Sequence, residues 1–499
     1  MFTARLLQFL QFLHVPLAAT CLLLPLKSPL KKHMSKKMLR TWLTASFGLL
    51  ASGAFAQQVD SLSFIRSKRM SDDDLAKKRE GRFVTGLPDL SSDPVTGVGF
   101  GVKTNIIWNG NRDNPLFAYT PYLMRLRANA AYYTSNAREL TISLDVPYYK
   151  GTRWRYRLDF KAQQNPANLY FGSSEATLGR LRLPSNPGVT FATYAQYDAA
   201  RKALRPGQPG EAAEVTDALS NRFRETEVML NLKADYALGK GKWRVMGGYE
   251  IQHLSYATFQ GTKAEATLPV TGQQTTAPNG TALLQRDAQQ GLIFGLDGGW
   301  VSIIQAALIH DTRDFEPDPT RGVYFEAANE FSSPVIGSQF SFNKLFFQGR
   351  AYRKLPVGKR TVLAGRVGVG NIFGEKAPFF EFQDQWSPDG SINALGGRQS
   401  LRGYRANRFL ARSLAFANAE LRIRLADVKL GKQNFGLGVA PFADAGTVRD
   451  RWQDLGFRDV RFSYGAGARI AWNLSTIIYA DYGLSKEDRL FYFGIGQNF

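Results

Sequence analysis

From Thr96 to the last residue, apolar and polar side chains alternate with a period of two, and no apolar run there reaches the ~18 residues that a membrane-crossing helix needs. Successive side chains of a strand point to opposite faces, so this pattern builds sheet with one greasy and one wet face. In 96–108, Val98, Phe100, Val102, Ile106 and Trp108 share a parity with Thr104. They oppose Gly97, Gly99, Gly101, Lys103 and Asn105, with Ile107 the exception. In 461–472, Phe462, Tyr464, Ile470 and Trp472 oppose Arg461, Ser463 and Arg469, and in 415–425 Leu421 and Ile423 oppose Glu420, Arg422 and Arg424.

A soluble sandwich alternates too, so export has to decide. Residues 34–56 read as a signal peptide: Lys36, Lys37 and Arg40 are basic, Trp42 to Leu50 is a short apolar core, and Ala54-Phe55-Ala56 is a small-x-small cleavage site. Residues 1–33 read as an upstream extension from a start placed too early, with translation beginning at Met34. Residues 57–95 are polar and charged, a short periplasmic segment too small for a core of its own. Residues 96–499 are the expected barrel, with long loops at 201–222, 260–290 and 374–410. The one cysteine, Cys21, falls in the part expected to be lost, so neither disulfides nor thiol chemistry is expected.

An exported chain whose wet face carries Arg and Glu fits a closed barrel, because closure removes the sheet edges that lipid cannot satisfy. The 35 Phe and 20 Tyr suit the aromatic girdles of such barrels. At roughly 25 residues per strand with its connection, 96–499 holds about 16 strands. The fold class is therefore all-β, a transmembrane antiparallel β-barrel of the bacterial outer membrane.

The formal charge of +21 invites a nucleic-acid reading, but the basic residues are interleaved with acids rather than gathered into a stripe. A basic lumen, or contact with outer-membrane lipids including anionic lipopolysaccharide, accounts for the charge instead. Catalysis is not expected: there is no Gly-x-Ser-x-Gly elbow, and only His253 and His310 follow the cleavage site. His310 beside Asp311 and Asp314 lacks a ligand set, so neither metal nor cofactor is expected.

Four segments go further. They are Asp311-Thr312-Arg313-Asp314 with Pro319-Thr320-Arg321-Gly322, then Gly396-Gly397-Arg398-Gln399-Ser400-Leu401-Arg402-Gly403-Tyr404, then Phe442-Ala443-Asp444-Ala445-Gly446, and the terminal Gly494-Ile495-Gly496-Gln497-Asn498-Phe499. In this order they resemble the BamA/TamA family of outer-membrane proteins, the bacterial surface antigen family. The resemblance spans roughly 96–499. It implies 16 strands and a sixth extracellular loop folded back into the lumen, its Arg402-Gly403-Tyr404 tip locked by acids of the inner wall. Alternation turns Asp444 and Glu420 inward, so both are candidate partners of Arg402. Asp311, Arg313, Asp314, Pro319 and Gly322 read as a turn between two strands. Phe491, Phe493, Ile495 and Phe499 fit the terminal signal by which the host's barrel-assembly machinery inserts such chains. The implied function is assistance in protein insertion into, or translocation across, the outer membrane, with outer-membrane proteins as clients. Insertion in the family is thought to use a weak seam between first and last strands, here 96–108 and 489–499, softened by Gly97, Gly99, Gly101, Gly494 and Gly496. Family members place several folded periplasmic domains ahead of the barrel, and 57–95 is too short for them. The rival reading is a passive channel or small-solute transporter whose lumen charges select solutes.

Overall fold

Sixteen strands pair with their chain neighbours and close into an antiparallel barrel in the computed structural model, which describes residues 64–65, 69–70, 72–358, 360–431, 433–472 and 476–499. The expected extension at 1–33, the signal peptide at 34–56 and Cys21 lie outside the described residues. The strands are β1 (Arg82–Asp93), β2 (Gly97–Trp108), β3 (Met124–Tyr133), β4 (Arg138–Val146) and β5 (Trp154–Leu169). Then come β6 (Arg222–Leu238), β7 (Trp243–Thr258), β8 (Gly299–Asp311), β9 (Gly322–Ser332), β10 (Phe342–Leu355) and β11 (Arg360–Phe373). The circuit ends with β12 (Ser413–Leu430), β13 (Gln433–Arg449), β14 (Arg461–Trp472), β15 (Thr476–Leu484) and β16 (Arg489–Ile495).

The barrel starts at Arg82, not at Thr96. Part of the expected periplasmic lead-in is β1, and 97–108 is the second strand, paired along its length with β1. Gly86, Pro88 and the Ser91-Ser92-Asp93 end blur the alternation of β1, which is why it does not read as a strand. Its faces are nonetheless those of a barrel: Val84 and Leu90 are exposed, whereas Asp89 is buried and takes an ion pair from Lys103 at 2.9 Å. The seam is accordingly β1 against β16, and Gly97, Gly99 and Gly101 lie one strand away from it. That seam is thin. A single position, Ser92 opposite Phe493, pairs β1 with β16, while β1 and β2 pair from Arg82–Trp108 to Asp93–Gly97. Pro88 brings no N–H to a neighbour, a residue sheets accept at edges.

Outward side chains form the apolar band. Phe100, Val367, Leu425 and Phe462 are 57–66% exposed, which in a lipid-spanning barrel is contact with acyl chains. At the short-turn end Trp154, Tyr156 and Tyr236 cluster, and Trp243 packs on His310 at 4.4 Å, an aromatic girdle. Connections such as 147–153 and 239–242 at this end are short. The other end carries 170–221, 259–298, 374–412 and 450–460, and long loops of such barrels face outward from the cell. The loop expected at 201–222 is longer, beginning at Tyr170. Above the barrel, Leu283, Leu284, Phe340, Phe379 and Phe380 pack into an apolar cap.

Candidate functional site

Residues 374–412 are the sixth connection of the long-loop end, and they turn back into the lumen. Three anchors hold them. Near the loop's start, Glu381 and Asp384 meet Lys344 of β10, each at 3.0 Å. Deeper, Asp389 sits in a Ser387-Pro388-Asp389-Gly390 turn and takes ion pairs from Arg350 at 2.6 Å and Arg313 at 3.2 Å. Arg157 of β5 donates to the Pro388 carbonyl at 2.8 Å, so the loop touches opposite stretches of wall.

The third anchor is the tip. Arg402 is 0% exposed. Its Nε and Nη2 donate to the two oxygens of Asp444 at 2.8 and 2.9 Å, and its Nη1 donates to Glu420 at 2.7 Å and to Asp481 at 3.3 Å. The backbone N–H of Arg402 adds a bond to Asp444 at 3.1 Å. The face of Phe442 lies 3.4 Å from the guanidinium carbon. A planar five-donor fork suits such a nest of carboxylates, and its bidentate hold on Asp444 sets orientation as well as charge. Three cations, Arg402, Arg422 and Arg469, balance three buried carboxylates: Arg422 pairs with Glu420 at 3.0 Å and Arg469 with Asp481. Asn418 completes the nest by donating to Asp444 and to the Ser400 carbonyl, both at 2.8 Å. Burial works against the charge of Arg402, yet Asp444 and Glu420 hold the guanidinium above its usual range.

Gly403 makes the approach possible. Its φ is +90°, and a Cβ would lie 2.8 Å from the Leu484 carbonyl carbon, so the tip meets the end of β15 backbone to backbone. Ser485 donates to the Gly403 carbonyl at 2.7 Å, and the buried Tyr404 ring meets Phe409 edge-on at 5.1 Å. Beyond the tip, Arg405 donates to Asp488 at 2.8 Å and to the Pro94 carbonyl at 2.7 Å. Pro94 follows β1 and Asp488 precedes β16, so one arginine spans the seam.

The turn motif lies where β8 passes to β9. Asp311 is buried and holds Arg313 at 3.0 Å, and Asp314 organises the turn by accepting from the N–H groups of Phe315 and Thr320. Pro319 and Gly322 fall on the turn and at the head of β9. Through Arg313 the motif reaches Asp389, so the turn and the inserted loop, far apart in sequence, meet in the lumen.

The terminal signal is divided. Phe491, Phe493 and Ile495 are on the outer face of β16, but Phe499 is not. Gly496, at φ +122°, ends the strand, and the tail turns inward. Phe499 is buried against Tyr352, Val362 and Ala364 of the inner wall, and its carbonyl accepts from Arg422 at 2.7 Å. Sequence reading passed over Asp481, Lys344, Asp389 and Arg405. Asp481 shares its inward parity with Ile477 and Tyr479, and the Ser-Pro-Asp-Gly run around Asp389 is a turn signature.

Outside the spanning strands, burial pushes the Glu381 carboxyl up to about 7, with Lys344 pulling the other way and Glu330 and Asp384 reinforcing the rise.

A closed sixteen-stranded barrel with an apolar outer band and a loop anchored in its lumen defines an outer-membrane β-barrel with a filled interior. The chain belongs to the Omp85 superfamily, whose domain matches residues 120–499, and a domain of unknown function (DUF5982) matches residues 60–123. Among characterised proteins it is similar to outer membrane protein assembly factor BamA of Nitratidesulfovibrio vulgaris, 28% identical over 191 residues. That match takes in 33% of this chain and 22% of the relative, so the chain spans about a fifth of the relative's length. Similar solved structures include BamA from Haemophilus ducreyi lacking POTRA domains 1–3, at TM-score 0.47 and 12% identity over 84% of this chain and 70% of that one. Another is CdiB from Escherichia coli, at TM-score 0.45 and 12% identity over 83% and 62% of the two chains.

Proposed function

We propose that this barrel assists the insertion of proteins into, or their passage across, the outer membrane, and that it does so at the β1–β16 seam. The observation that carries this reading is the seam itself: one paired position where neighbouring strands pair throughout. Backbone groups left unpaired along two strand edges are a template for a further strand, which is what a client barrel would bring. The lumen supports this over a passive pore, because anchored loop and tail occupy the space solutes would need. The work is done by edges and loops, with no bond chemistry.

The test is reconstitution. Full chain in liposomes should speed the folding of an unfolded eight-stranded outer-membrane barrel relative to protein-free liposomes. An oxidised Ser92→Cys/Phe493→Cys pair should abolish the gain, and reduction should restore it. No acceleration, or acceleration indifferent to the cross-link, would overturn the proposal.

A further inference from the structure

The outer face of β4–β7 changes character abruptly along the strands. Register aligns Leu140, Ala162, Val228 and His253 in one row, then Ile142, Phe160, Leu230 and Ile251, then Leu144, Leu158, Leu232 and Tyr249. These rows are apolar apart from His253, and with the girdle below they make a greasy wall roughly 20 Å tall at 3.3 Å per residue. The next row toward the long-loop end is Arg138, Gln164, Thr226 and Ser255, all polar. One step further the same face carries Arg224 beside Ala257.

Here the wall is also concave. A recess of about 850 Å³ is lined by Arg138, Arg222, Arg224 and Gln164, with Pro166 and Phe259 among its apolar members. Its described lining residues include three arginines and no acid. Arg138 donates to Gln164 at 2.8 Å, and Arg224 lies over the Phe259 ring at 5.7 Å, so both guanidinium groups are held at the recess. The Nε of Arg222 is buried without an acceptor.

We infer that this recess binds a phosphorylated glycolipid of the outer leaflet, its sugar phosphates on Arg138, Arg222 and Arg224 and its acyl chains along the apolar rows below. Two features of the surface select that ligand. Clustered arginines facing one hollow suit phosphate oxygens, which they grip bidentately. The apolar wall continues directly beneath them, on the side of the barrel that faces lipid, at the end where long loops leave the cell. A free anion has no use for that wall, and a neutral lipid has none for the arginines. The recess lies on the far side of the barrel wall from the lumenal loop, so this role is independent of the proposed seam function.

The test uses native mass spectrometry of the detergent-purified full chain with three probes: bisphosphorylated lipid A, the same lipid dephosphorylated, and phosphatidylglycerol. Bisphosphorylated lipid A should bind at least about tenfold more tightly than either of the others, the worth of one charge-assisted bond or more. Arg138→Ala/Arg222→Ala/Arg224→Ala should erase that preference, with heat-modifiable gel mobility reporting that the barrel still closes. Millimolar inorganic phosphate should not compete. Equal binding of the two lipid A forms by the wild type, which needs no variant, would overturn the inference. So would phosphatidylglycerol binding as tightly, which marks a general anionic-lipid surface, or competition by phosphate, which marks a free-anion site.

Discussion

Replacing Arg402 by alanine should release the inserted loop, and the structure sets the size of the effect. The side chain gives up four hydrogen bonds, to Asp444 twice, Glu420 and Asp481. Glu420 keeps Arg422 and Asp481 keeps Arg469, so the loss concentrates on Asp444, left with Asn418 and the residue-402 N–H. Breaking one fully buried pair in this way costs about 3–5 kcal/mol, which shifts the ratio of docked to released loop by roughly two to nearly four powers of ten. Asp444→Ala is milder, because Arg402 would still hold Glu420 and Asp481. Arg402→Lys should fall between, since one ammonium keeps the charge but cannot span three carboxylates. Planar-bilayer conductance of the full chain reads this directly. Wild type should give a low, flickering current, Asp444→Ala more, and Arg402→Ala the most, with cleavage inside 374–412 by added protease rising in the same order. A current in Arg402→Ala equal to wild type, with the loop no easier to cleave, would refute the view that this nest holds the loop.

Gly403→Ala should also weaken docking, because its Cβ would press on the Leu484 backbone at a φ of +90°; conductance should rise toward that of Asp444→Ala. Arg405→Ala should loosen the seam without freeing the tip, so maleimide should label Ser92→Cys several-fold faster in that background while conductance stays low. The docked Glu381 carboxyl, pushed up to about 7 against an ordinary 4.5, holds its proton more tightly than the free loop does. Docking there is favoured below about pH 4.5 and loses strength as pH rises to 7. Loop cleavage should therefore be faster at pH 8 than at pH 5, and Glu381→Gln should flatten that difference. Phe499→Ala removes a buried ring from the inner wall and should cost about 3 kcal/mol, seen as a lower urea midpoint for loss of heat-modifiable mobility.

Sequence legibility followed the physics of each element. Strands such as β14 and β12 announce themselves because lipid on one side and a charged lumen on the other force strict alternation. β1 does not, since an edge strand tolerates Pro88 and Gly86. Arg402, Asp444 and Glu420 could be named in advance because the family resemblance marks the arginine and implies acidic partners, and parity turns these two acids inward. Asp481 has the same parity, but which of the acids on the inner wall reach one arginine depends on strand stagger, and period-two patterning carries no stagger. The Lys344 and Asp389 anchors were invisible for a related reason. In each, the acid comes from inside a long loop, whose path is set by contacts and not by periodicity. The inward position of Phe499 is set by Gly496, whose positive φ ends the strand, a bend that period-two patterning does not carry.

The partners of the inserted loop come from both sides of it in the chain, and this imposes a schedule. Lys344, Arg350 and Arg313 precede the loop, so its first half has its wall as soon as β8–β10 are in place. Glu420, Asp444, Asp481 and Asp488 all follow it, on β12, β13, β15 and the last hairpin. The tip must therefore wait for the final sixth of the polypeptide, and Arg405 cannot bridge to Asp488 until β16 has come round to β1. Docking of Arg402 is thus complete only once β15 is in place, and a barrel stalled before then leaves its guanidinium short of carboxylates on a loose loop, while the Arg405 bridge waits for the closed circuit.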